Sequence, residues 1–146
     1  MKRYEHTQIG YLTLSATLLV AAIMGIVAPS NRSALTNVTI ELILLICAVI
    51  FSKLTIRIDS ETLTACLAIG IVCKKVTLAE IANCEPIRIR WWYGWGIHLT
   101  PYGWLYNVSG WDAVVIILRD GRKFALGTDD PQGLAEAIQR LSSAEY

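Results

Sequence analysis

The chain has 146 residues, 54% of them hydrophobic and 17% charged, with a mean hydropathy of +0.47. That length excludes a large enzyme, and that balance predicts that part of the chain sits in lipid, leaving enough for one small domain with its own core. Thirteen Lys and Arg against twelve Asp and Glu give a formal charge of +1, so nothing in the balance calls for nucleic acid.

Residues 1–8 read as a cytoplasmic tail, and Ile9 to Ala28 then runs without a charge, long enough to predict a first transmembrane helix over 9–28. The rival reading is a signal peptide, given the basic Met1-Lys2-Arg3 start. Against it, the apolar run exceeds the roughly 7 to 15 residues of a signal core, and Pro29 would follow the cut. A polar break, 29–37, serves as an external loop, and 38–56 predicts a second span, apolar apart from Glu41 and Lys53. Lys53 can snorkel to the interface, and Glu41 can sit among headgroups near its own helix N-terminus. Lys2, Arg3, Lys53 and Arg57 flank the two spans, whereas the loop holds only Arg32. The positive-inside rule therefore predicts a multi-pass protein of the inner membrane with both termini cytoplasmic. The sequons at Asn31-Arg32-Ser33 and Asn37-Val38-Thr39 lie in or beside that short turn and read as chance.

From Leu54 the period changes to that of a strand, and 57–146 reads as a cytoplasmic domain. Leu54, Ile56 and Ile58 alternate with Thr55, Arg57 and Asp59, and further runs cover Thr62 to Ile69, Ile71 to Leu78 and about Asn83 to Arg90. Trp91 to Gly96 is an aromatic and glycine loop, and Ile97 to Val108 is extended with a bend at Pro101-Tyr102-Gly103. Asp120-Gly121, flanked by Ala113 to Arg119 and Arg122 to Leu126, is the dipeptide favoured in a two-residue hairpin.

Asp130-Pro131 announces a terminal helix, with Asp as N-cap and Pro at the first helical position, and Leu134, Ile138 and Leu141 on one face. The fold class expected is a membrane-anchored α+β protein. A two-helix transmembrane hairpin precedes an antiparallel β-barrel or roll of about seven strands, capped by the C-terminal helix.

Gly94-Trp95-Gly96-Ile97, the run Gly103 to Gly110, the Asp120-Gly121 hairpin and Gly127 to Pro131 together resemble the small bacterial pleckstrin-homology-like proteins. The resemblance covers about Leu54 to Leu141 and is strongest from Trp91 onward. It implies two N-terminal membrane helices before a pleckstrin-homology-like barrel, a binding and assembly module without catalytic machinery. The clustered Lys and Arg that phosphoinositide-binding members carry in the first strand loop are missing, since that loop here is the acidic Ser60-Glu61.

All five Trp lie between Trp91 and Trp111. Trp91, Trp92, Tyr93 and Trp95 are the candidate interaction residues, because large apolar rings with a polar handle suit an interface. Trp104 and Trp111 read as core, and packing of the whole loop on its own domain is the plainer alternative. Arg88 and Arg90 could add a basic face for anionic lipid, although residues 54–146 hold nine Lys and Arg against ten Asp and Glu. Cys47, Cys66, Cys73 and Cys84 lack metal-ligand spacing and read as reduced thiols, and no motif joins them to His6 or His98 for catalysis. The expectation is a non-catalytic assembly module at the inner face of the membrane, without cofactor or metal. Its partners would be the lipid bilayer and copies of itself or another membrane protein; the alternative is an anionic-lipid-binding domain.

Overall fold

The computed structural model describes residues 4–27 and 33–143. Within them the chain forms nine strands and three α-helices. The strand β1 (Tyr4–Ile9) leads into a helical hairpin, α1 (Tyr11–Val27) and α2 (Ala34–Ile50). Then come β2 (Lys53–Ile58), β3 (Thr62–Leu67), β4 (Val72–Thr77), β5 (Ile81–Arg88), β6 (Gly96–Thr100), β7 (Gly103–Asn107), β8 (Asp112–Leu118) and β9 (Lys123–Gly127). The helix α3 (Pro131–Ser143) follows.

The strands make two sheets, β1-β2-β3-β4 and β5-β8-β9-β7-β6. The first is antiparallel throughout. In the second, β7 and β9 run parallel, with Trp104 opposite Phe124 and Tyr106 opposite Leu126. Alternation along β2 and β3 turns Leu54, Ile56, Ile58, Leu63, Ala65 and Leu67 inward, where they meet Val114, Ile116, Phe124 and Leu126 of the second sheet. Leu134, Ala135 and Ile138 of α3 enter the same core. A smaller cluster, Ile89, Leu105, Ala113, Val115 and Ala125, occupies the other face of the second sheet, and Tyr93 packs over it. Strand β8 is thus covered on both faces, which is why Ala113 to Leu118 is continuously apolar rather than alternating.

Three expectations are corrected here. No helix among the described residues is long and apolar enough to cross a membrane. Helices α1 and α2 have 17 residues each, about 26 Å at 1.5 Å per residue, against a hydrocarbon core of about 30 Å. The expected spans lose their ends to strands: Ile9 pairs with Lys53 in the β1–β2 ladder, and 53–56 belong to β2. The transmembrane hairpin, and with it the multi-pass inner-membrane placement with both termini cytoplasmic, is overturned. Of the charges on which the orientation rested, Lys2, Arg3 and Arg32 lie outside the described residues, as do residues 29–32 of the expected loop 29–37, whose residues 34–37 belong to α2.

The closed barrel is the second correction. After β4, one turn of 3-10 helix at Leu78–Glu80 carries the chain into β5, which pairs with β8 instead of β4, so the two sheets stay open. Nine strands replace about seven, because the tail contributes β1 and the bend at Pro101-Tyr102 makes a hairpin of β6 and β7.

The third correction concerns cysteine. Cys66 and Cys73 form a disulfide, with Cα atoms 4.1 Å apart. Cys47 and Cys84 are free. The Cys84 thiol is pushed up by burial, and its Sγ donates to the Ala135 carbonyl at 3.5 Å.

Helices and sheets meet at Gly10. Its N–H donates to the Ser52 carbonyl at 2.8 Å, and a Cβ there would lie 2.3 Å from the Phe51 carbonyl oxygen, so the approach of the two segments requires glycine. Thr13 Oγ1 donates to the Val108 carbonyl and Gln8 Nε2 to the Ser109 carbonyl, tying the base of the hairpin to the β7–β8 loop.

Candidate functional site

Strand β5 ends at Arg88, and Ile89 dives into the small cluster on the outer face of the second sheet. That anchors the loop that follows. A 3-10 turn at Trp91–Tyr93 closes with the Gly94 N–H on the Trp91 carbonyl at 3.3 Å. Tyr93 faces inward, and the turn leaves Trp91 and Trp92 outward, 74% and 54% exposed. The three rings form a chain, with centroids 5.9 Å and 6.1 Å apart. The Arg90 guanidinium lies 4.9 Å from the Trp92 ring centroid, a cation–π contact.

Trp95 belongs to a different group. Its Nε1 donates to the Gly110 carbonyl at 3.3 Å and its ring lies 5.3 Å from that of Trp111, so this pair ties the loop to the start of β8. Of the six residues singled out in the sequence, Trp91, Trp92, Tyr93 and Arg90 therefore come together, whereas Trp95 packs elsewhere. Arg88 sits exposed on β5, opposite Asp112. Two other basic side chains are engaged elsewhere. Arg122 pairs with Asp120 at 2.6 Å beyond the far end of β8, holding that carboxyl below its usual range, and Lys74 lies over the Phe124 ring of the core.

The loop delivers the chain into β6, and here the sequence reading missed an exposed apolar cross-strand pair. Leu99 and Trp104 stand opposite each other on β6 and β7, 70% and 51% exposed. Register places them on the face that carries Ile97 and Tyr106, which pack against the main core. Trp104, expected in the core, thus extends the core face past its cover.

Strand β6 is also an edge. The other sheet edges carry the usual guards against pairing: Glu5 on β1, Lys74 and Lys75 on β4, and Glu85, Pro86 and Arg88 on β5. Gly96-Ile97-His98-Leu99-Thr100 has no Asp, Glu, Lys, Arg or Pro, and among the described residues no strand pairs with its outer side. The signal was present in the sequence as that uncharged stretch. It could be read only once β6 was known to be an edge.

No family model matches the chain, and no curated protein matches it either.

Proposed function

We propose that the protein is a non-catalytic assembly module that pairs with a second copy of itself along β6. The observation that carries this reading is the unguarded edge of β6 beside the exposed pair Leu99 and Trp104. Two β6 strands laid antiparallel about a two-fold axis would supply each other's missing ladder bonds, since a two-fold interface uses the same patch twice. The same operation would bring the Leu99 and Trp104 pairs of both copies together and continue the core face across the junction. Trp91 and Trp92, in the loop that precedes β6, would then lie toward the partner's β6–β7 turn. A binding and assembly role is also what the resemblance to the bacterial pleckstrin-homology-like proteins implies.

Sedimentation of the full chain tests this. A dimer that becomes a monomer in the double variant Leu99→Lys, Trp104→Lys, with the circular dichroism spectrum kept, is the expected result. Both side chains are largely exposed, so the fold should tolerate the change. A variant that still dimerises sinks the reading. A monomeric wild-type chain that binds anionic vesicles in a salt-sensitive way, and loses that binding on Arg88→Ala, Arg90→Ala, would replace assembly with lipid recognition.

A further inference from the structure

Helices α1 and α2 enclose a groove of about 630 Å³, within the roughly 300–1,000 Å³ of small-molecule sites. Its walls are apolar, Ala21 and Gly25 on one side and Leu45 and Ala48 on the other, with Asn37 and Glu41 set into the α2 wall. The two polar residues are four apart and so share one face of the helix. Glu41 is the sole Asp, Glu, Lys, Arg or His among the described residues of either helix, and it is half-buried. Among the described residues no cation pairs with it.

A carboxylate set among apolar groups is costly unless a donor meets it, and the occupant that best matches it when the groove is covered is one that brings a cationic donor. A second copy of α1 and α2 brings no Lys, Arg or His among their described residues and would present another Glu41. We propose that the groove binds a single-chain amphiphilic amine. The alkyl chain lies between α1 and α2, and the ammonium N–H groups donate to the Glu41 carboxylate and to the side-chain oxygen of Asn37. This site is separate from the β6 edge.

The test is photolabelling of the full chain with a diazirine-bearing dodecylammonium ion, read by peptide mass spectrometry. Labels should fall on the groove-facing residues of α1 and α2, and dodecylamine should compete them away whereas dodecyl sulfate should not. Glu41→Gln keeps the shape and should weaken labelling about tenfold or more, the scale of a lost charge-assisted hydrogen bond. Gly25→Leu should also weaken it, because a Cβ at Gly25 meets nothing within 4 Å and the side chain would fill the groove without a backbone clash. Equal labelling of Glu41→Gln, equal competition by the sulfate, or labels confined to the sheets would each overturn the proposal.

Discussion

Cys66 and Cys73 stand directly opposite each other on β3 and β4 and are joined by a disulfide on the outer face of the first sheet. The cross-link spans a sequence separation of 7, for which loop-closure entropy gives about 2 to 3 kcal/mol. Urea denaturation with and without reductant should register a loss of that size, and Cys66→Ser, Cys73→Ser should reproduce it while becoming insensitive to reductant. An unchanged midpoint would mean that the hairpin holds its register without the bond.

Tyr4 links β1 to the start of α3, its hydroxyl donating to Asp130 at 3.4 Å. Burial, and then the negative charge of Asp130, push its pKa from the ordinary 10 to about 12. The folded chain therefore holds this proton where the unfolded chain has lost it. The contribution is complete below about pH 10 and is lost as pH rises through about 12. Tyr4→Phe should flatten the stability profile across that window, measured by urea midpoints at stepped pH. An equally steep profile in the variant would assign the alkaline loss to another group.

The helix α3 closes the core through Leu134 and Ile138, at 0% and 1% exposure. Either residue changed to Asp places an unpaired charge among apolar side chains, which should cost several kcal/mol. Thermal unfolding of the full chain would measure it, and an unaltered melting temperature would remove α3 from the core.

Two glycines with the same backbone angle should respond unequally to alanine. Gly103 and Gly121 both have φ +86°, but a Cβ at Gly103 would lie 1.9 Å from the Lys123 carbonyl oxygen, whereas at Gly121 it meets nothing within 4 Å. Gly121→Ala should cost about 1 kcal/mol from backbone strain alone. Gly103→Ala should cost clearly more, because the parallel β7–β9 contact must also spread. Equal urea midpoints for the two variants would contradict that packing.

What the sequence determined by itself is local. Asp130 accepts the Gly133 N–H at 3.1 Å and Pro131 begins α3, as that dipeptide dictates from its own side chains. Asp120-Gly121 turns β8 into β9, and the alternation of Leu54, Ile56 and Ile58 places β2 with its apolar side inward. The tertiary structure decided everything that depends on which distant segments pair. Ile9 and residues 53–56 look like the ends of apolar spans until β1 pairs with β2 and claims them, which shortens both helices. Trp104 looks like core until β7 is placed between β9 and the edge strand β6, where the face it shares with Tyr106 runs past its cover. The disulfide likewise follows from the β3–β4 register and not from cysteine spacing. Caps and turns are set by contacts within a few residues, so they are written in the chain. Strand order and register come from non-local pairing, and those decide where a helix stops, which edge stays open and which aromatic rings reach the surface.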